Sequence, residues 1–416
     1  MTGVAEDPVA TQYEAYPYPP RDPKDEAKRL VTGSPSHLGE VIHFVRGGRF
    51  DPAAPFRVLV AGGGTGDAAI MLAQQLADEG AKAAEVVYLD RSSTARAIAE
   101  ARAAARGLAN LRFVTGSLTE LSMLGLGGFD YVDCCGVLHH LDDPPAGLAA
   151  LASALAPRGG MGIMLYAPLG RTGVYPVQRV LRALIGDEAP RERVQLARRL
   201  LGALPPTNWL KRNPFMTDHL VEGDPGLYDL LLHARDRAYA VGEIAEMVAG
   251  AGLRIAGFTP PGRHAPRFLL ADAALLRRVE GHDWLARAAL AEDLAGNIKS
   301  HAFYVVRADD PVAPPAPDSL DLMPMVINAE PASLAKAAPP GGTLSATVDG
   351  LPFRVPMPRL GPAILAAIDG RSSLRAIHAR LAARDATLDE ARFMADFRAL
   401  FASLHALGKL MLRVAV

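Results

Sequence analysis

Along residues 57 to 166 short apolar runs alternate with segments whose apolar side chains recur every three or four positions. The runs predict strands at Val58–Ala61, Glu85–Asp90, Leu111–Thr115, Tyr131–Cys135 and Gly162–Tyr166, and the periodic segments predict helices at Ala68–Glu79, Ser92–Arg106 and Pro144–Leu155. A further helix over Ser36–Arg46 carries Leu38, Val41, Ile42 and Val45 at helical spacing, capped by Ser34 or Ser36. Continuous apolar strands between amphipathic helices imply an α/β fold whose parallel sheet is covered on both faces. From Leu169 to about Ala240 the alternation stops, and proline-punctuated helical segments take over at Val177–Leu184, Arg191–Leu204 and Pro225–His233. It resumes with helix Val241–Ala251, strand Leu253–Phe258, a mostly helical insert Asp272–Ile298 and strand Ala302–Arg307.

Beyond Arg307 the pattern changes again. Residues 309–342 are rich in proline and alanine and read as a linker. Two short strands, Leu344–Val348 and Phe353–Val355, flank Asp349-Gly350, a hairpin signal, and helices Gly361–Ile368, Ser373–Arg384 and Leu388–Leu407 precede a closing strand Lys409–Val414. The expected organisation is a tyrosine and proline lid at 1–36, a sheet domain at 37–308 with helical inserts at about 169–240 and 259–300, the linker, and a small α+β domain at 343–416 whose hairpin and three helices resemble winged-helix modules. Inserts after late strands of such a sheet build the acceptor pocket or cap the sheet.

Composition narrows the partners. With 44 Lys and Arg against 45 acidic residues among 416, the chain has no global field to hold nucleic acid or an anionic membrane surface. Cys134 and Cys135 are neighbours inside an apolar run, where a disulfide is geometrically poor, so both read as small hydrophobes in a reducing compartment. No apolar run reaches membrane-spanning length and the N-terminus lacks a secretory pattern, so a cytoplasmic location is expected.

The chemistry starts at Arg57–Asp67, RVLVAGGGTGD, where the first strand breaks into Gly62, Gly63, Gly64, Thr65 and Gly66. Such a turn sets backbone N–H groups and a helix N-terminus beside the strand's carboxyl end, where a nucleotide-like ligand sits. Asp67 stands where the dinucleotide pattern needs its last glycine, which argues against a plain NAD site. Asp90, ending the second strand, is placed to accept from two ribose hydroxyls, or to cap the helix that follows it.

Together VLVAGGGTG, VVYLD, FDYVDCCGVLHHLDDP and GGMGIMLY resemble a class I S-adenosylmethionine-dependent methyltransferase over roughly residues 13–307. That resemblance implies a seven-stranded Rossmann-like sheet with the methionine end of the cofactor over Ala61, Gly62, Gly63 and Gly64, the ribose on Asp90, and the adenine near Gly116, Ser117 and Leu118. Gly136 and Val137 would flank the sulfonium, with Gly66 and Arg91 at the edges of the site, and S-adenosylhomocysteine as product. The sequence departs from the family where Val60 replaces an acidic residue and Ser117 an aspartate, which weakens the usual hold on the methionine ammonium and on the adenine amino group. The tyrosine-rich leader and the segment after the insert resemble bacterial methyltransferases associated with tetratricopeptide repeats, and the leader with the small C-terminal domain resembles methyltransferases carrying a regulatory domain, some of which modify protein lysines.

The acceptor is a small molecule or a protein side chain. His139 and His140 follow the fourth strand, where one would serve as general base unless both are structural, and Tyr16, Tyr18 and Tyr166 would surround the sulfonium or the acceptor unless they belong to the core. Asp143-Pro144-Pro145 lies beyond the strand and lacks the following aromatic of base-modifying enzymes, so a nucleic-acid substrate is not expected; nor is a metal. The competing readings are a non-catalytic protein that senses S-adenosylmethionine or scaffolds a partner and, more remotely, an NAD dehydrogenase.

Overall fold

The computed structural model of the chain describes residues 8–415, so the first seven residues of the expected lid lie outside the described residues. Its centre is a seven-stranded sheet of β1 Phe56–Ala61, β2 Ala84–Asp90, β3 Leu111–Thr115, β4 Phe129–Cys135, β5 Leu155–Tyr166, β6 Leu253–Thr259 and β7 Ser300–Arg307, in the order β3-β2-β1-β4-β5-β7-β6. β1 to β5 are parallel, but β7 slots between β5 and β6 antiparallel to both. The five strands whose alternation implied a parallel sheet are parallel as expected, while the direction of the later two was not legible, since an apolar run carries no mark of strand direction. Alternate residues of β1 feed two cores: Leu59 and Ala61 face one layer, Val58 and Val60 the other.

The chain order reverses between β1 and β4, since β2 and β4 pair on opposite sides of β1, and this is where an open α/β sheet leaves a crevice at its strand ends. The helix Asp67–Asp78 follows β1, Ser93–Ala105 follows β2 and Pro144–Ser153 follows β4. Asp143 caps the last of these by accepting from Ala146 N, with prolines in its first turn, as its sequence suggested. The segment expected as one helix over 36–46 is Leu38–Glu40 followed by a π-helical turn, Val41–Val45.

The N-terminal segment lies along the sheet end. Its helix Pro8–Ala15 places Glu14 against the start of Ser93–Ala105, where the carboxylate accepts from Ser93 N (2.5 Å). Pro19 O accepts from Thr65 Oγ1 (2.7 Å), and Arg21 pairs with Asp67 (2.6 Å). Below them Arg102, 1% exposed, bridges Glu26 (2.6 Å) and Asp67 (2.7 Å).

Residues 309–342 are not a free linker. They contain β8 Leu322–Val326, paired antiparallel with β11 Leu410–Val414, and a helix Pro331–Lys336. Proline content hid the strand because a two-stranded ribbon leaves outward N–H groups unused, and Pro324 stands opposite Leu412 without a lost ladder bond to a third strand. The hairpin β9 Thr343–Val348 and β10 Leu351–Pro356 turns at Asp349 (φ 48°) and Gly350 (φ 81°), the two positive values of a type I′ turn. Three helices, Gly361–Ala367, Leu374–Ala382 and Glu390–Ala406, complete a core of their own. This unit docks on the sheet domain: Arg263 pairs with Asp349 (2.6 Å), Leu412 N donates to His43 Nδ1 (3.2 Å), and Met325, Ile327 and Met411 join the core beneath β1. No helix among the described residues is long and apolar enough to cross a membrane.

Candidate functional site

A cleft of about 800 Å³ opens at the carboxyl ends of β1, β2, β4 and β5, with the N-terminal segment as one wall. The glycine turn forms its floor. Gly62 sits at φ 81°, and a Cβ there would meet Val137 at 2.4 Å; a Cβ on Gly63 would strike the Tyr88 ring at 2.2 Å. Side chains are thus excluded from the turn by its packing, while Gly62, Gly63 and Gly64 line the cleft with backbone.

Asp90 lines the cleft at the end of β2, with Oδ2 accepting from Gly64 N (2.7 Å) and Oδ1 from Ser92 N (2.8 Å). It therefore ties the glycine turn to the next helix, and each oxygen keeps a further lone pair. Arg91, Gly116, Ser117, Leu118, Gly136 and Val137 line the same space. Ser117 spends its hydroxyl locally, capping the turn Leu118–Glu120. Ala61 and Gly66 are not among the walls: Ala61 is buried in the sheet, and Gly66 lets the helix Ser93–Ala105 approach, a Cβ on it falling 2.8 Å from Ala99.

The two adjacent histidines part company. His139 stacks on Tyr166 (3.9 Å between ring centres), accepts from Tyr166 N at Nδ1 (3.4 Å) and is fully buried away from the cleft, so it is removed as a candidate base. His140 lines the cleft. Its Nδ1 lies 2.7 Å from Arg235 O, a carbonyl that can only accept, so Nδ1 carries the proton and Nε2 presents its lone pair. Burial depresses the His140 pKa, which keeps the ring neutral at ordinary pH.

Tyr18 and Tyr166 line the cleft, but Tyr16 does not: it stacks on Tyr228 (5.1 Å) in the helical insert's core. The residue completing the wall is Asp229, on the π-helical turn Tyr228–Leu232. Its Oδ1 accepts from Tyr13 Oη and its Oδ2 from Tyr166 Oη, both at 3.2 Å. His233 stacks on His140 (3.7 Å), accepts from Arg235 N at Nδ1 (3.1 Å) and so turns its Nε2–H toward Tyr13 Oη (3.3 Å). The carboxylate and the two histidines approach one another closely enough for a metal ion. Their arrangement does not favour one, because lone pairs in nearly parallel stacked rings (18°) do not converge and both His233 nitrogens are engaged.

Sequence reasoning missed Asp229 and Asp133, and met Tyr13 only as part of the tyrosine lid. Asp133 was signalled by an acid inside the apolar run YVDCC; Asp229 had no mark beyond lying in an insert. Cys135, expected as core, is half-buried and lines the cleft.

Residues 59–161 match the methyltransferase domain family. The uncharacterized protein syc1184_c of Synechococcus sp. is 32% identical over 308 residues, which are 73% of this chain and 72% of that protein. The chain belongs to the S-adenosylmethionine-dependent methyltransferases. The methyltransferase fold extends over most of its length: the structure of PKMT2 from Rickettsia typhi in complex with AdoHcy, 16% identical, aligns with 91% of this chain and 76% of its own at a TM-score of 0.65. The same protein without that ligand named aligns at 0.64. In this methyltransferase Gly62, Gly63, Gly64, Asp90 and the loop after β3 line the cleft, the N–H groups of the three glycines being bonded to Leu89 O and Asp90.

Proposed function

We propose that this methyltransferase transfers the methyl group of S-adenosylmethionine to an amine nitrogen, carried by a small molecule or by a protein side chain. The observation that supports it is Asp229: a buried carboxylate on the cleft wall whose hydrogen bonds come from two phenols. The guanidinium that acts on it at longer range, Arg171, is itself paired with Asp236 (2.6 Å) and packed on the far side of Tyr166. Burial raises the Asp229 pKa, and an arriving ammonium ion would hold the carboxylate charged. An anionic acceptor, such as a carboxylate or phenolate, would meet repulsion at the same place.

An ammonium ion must lose a proton before its nitrogen has a lone pair to give. His140 Nε2 faces the cleft as an acceptor and takes that proton, leaving the imidazolium stabilised by Asp229. The cofactor supplies an electrophilic methyl carbon on a sulfonium, and the electron pair of the broken carbon–sulfur bond stays on sulfur as the carbon–nitrogen bond forms. Tyr13, Tyr18 and Tyr166 narrow the space around the nucleophile, so that alignment and water exclusion account for most of the rate.

The test is labelled cofactor with cell lysate, fractionated into protein and small molecules, with the methylated atom identified by mass spectrometry. Label on nitrogen is expected, and label on carboxyl or hydroxyl oxygen would overturn the reading. With the acceptor in hand, Asp229→Asn should raise its KM by roughly tenfold or more while leaving S-adenosylhomocysteine affinity unchanged. His140→Gln should lower kcat and remove the acid limb of the pH profile.

A further inference from the structure

A cofactor that ends in an amino acid brings a positive ammonium group into the cleft, and at Val60 the first strand offers it nothing. In the sheet, however, β1 pairs with β4 so that Val60 lies beside Asp133. Neighbours in register project from the same face. A carboxylate on β4 at that position therefore emerges one strand over from where a carboxylate on β1 would.

We infer that Asp133 is the group that receives the α-ammonium of S-adenosylmethionine, its carboxylate transferred from the first strand to the adjacent one. The inference rests on placing the methionine end of the cofactor at the glycine turn. Asp133 is 1% exposed yet forms part of the cleft wall. Its Oδ2 accepts from Ser36 Oγ (2.7 Å) and more weakly from Tyr131 Oη (3.4 Å); Oδ1 has no hydrogen-bond donor among the described residues. No cation contributes to its electrostatics, and burial pushes its pKa up to about 7. A buried carboxylate with one open oxygen and no counter-charge is costly to keep, which is why such groups mark ligand sites.

The surroundings are built to hold it. Tyr131 and Tyr304 both donate to Pro35 O (2.6 and 2.8 Å), pinning the segment that carries Ser36. Room for that segment comes from β5, where Gly162 pairs with Asp133 and a Cβ would fall 2.0 Å from Tyr131 Oη and 2.7 Å from Pro35. Ser36 thus occupies one side of the carboxylate and leaves the other for the ligand. Ser36, expected to open or cap the helix there, is instead a hydroxyl donor to the site, and His37 caps the helix that forms.

Calorimetry with two ligands separates this role from a structural one. S-adenosylhomocysteine carries the amino acid; methylthioadenosine keeps the adenosine and the thioether but lacks it. Asp133→Asn is expected to weaken S-adenosylhomocysteine by roughly tenfold or more and to leave methylthioadenosine unchanged. In the native protein the ratio of the two affinities should rise with pH through about 7, as the carboxylate ionises. Equal losses for both ligands would make Asp133 an anchor for Ser36 and overturn the assignment, as would unaltered S-adenosylhomocysteine binding. Should the variant fail to fold, a ratio independent of pH in the native protein overturns it alone. Absence of methylthioadenosine competition with S-adenosylhomocysteine would instead refute the cofactor placement on which the inference stands.

Discussion

Asp90 accepts a backbone N–H on each oxygen, one from the glycine turn and one from the cap of the next helix, so removing it would disturb the floor of the cleft together with the ribose site proposed there. Asp90→Ala is expected to weaken S-adenosylhomocysteine by about 1–3 kcal/mol, the cost of leaving buried polar groups unpaired. Isothermal titration reads this directly, and an unchanged affinity would remove Asp90 from the ribose assignment. Asp90 stood out in the sequence because an acid at a strand end after a glycine turn suits either a ribose or the following helix, and the structure sets it on the cleft wall. Asp133 was not, since the fact that matters is its register against Val60, and pairing between distant strands leaves no trace in either segment. His139 and His140 were legible as a pair and not as individuals. The tight turn Leu138–His140 turns one ring into the sheet and the other into the cleft.

Among the elements, the N-terminal segment departs most from its first reading as a lid of tyrosines. Its strongest attachment is an ion network: Arg102 lies between Glu26 and Asp67, donates to Thr65 O (2.8 Å), and Arg106 shares Glu26. Asp67, met first as a mismatch in a glycine pattern, is the point where this network grips the turn. Burial alone would raise its pKa, but Arg21 and Arg102 hold it below the usual range. Arg102→Met should cost up to about 3–5 kcal/mol, because Glu26 stays buried with Arg106 as its remaining partner and Asp67 and Thr65 O each lose a donor. Denaturant unfolding should show part of that loss recovered by adding Glu26→Gln; full additivity of the two changes would deny the coupling. The helix Ser93–Ala105 gave no hint of this, as arginines among alanines read as a solvated face. The π-helical turn that carries Asp229 was equally hidden, because helical periodicity does not distinguish a turn of wider pitch.

On the scale of the whole molecule, the sequence marked the sheet domain and the hairpin well, and misread what joins them. Alternation of apolar runs and amphipathic helices survives any loop, whereas docking through Arg263, His43 and Met411 depends on side chains scattered over the chain. One consequence concerns acid. His43, His139, His140, His233, His264 and His405 all have pKa values depressed by burial, so the native state excludes protons that the unfolded chain binds below about 6.5. Their contribution to stability is complete above that value and declines as pH falls toward their lowered folded values. Thermal unfolding should therefore show Tm falling below about pH 6, offset in part by Asp133 and Asp229, whose raised pKa values act in the opposite sense, and a Tm that rises as pH falls from about 6 to 4 would contradict the neutral assignments.

The segment that supplies Tyr13 to Asp229 also supplies the Pro19 carbonyl to Thr65 and Arg21 to Asp67. On the proposed function, an opening of this segment for exchange of spent cofactor would take apart one side of the acceptor's pocket as well. An acceptor with several methylatable positions would be let go after each transfer and would have to rebind for the next. Methylation by this enzyme would then be distributive, with singly modified product accumulating ahead of the fully modified form.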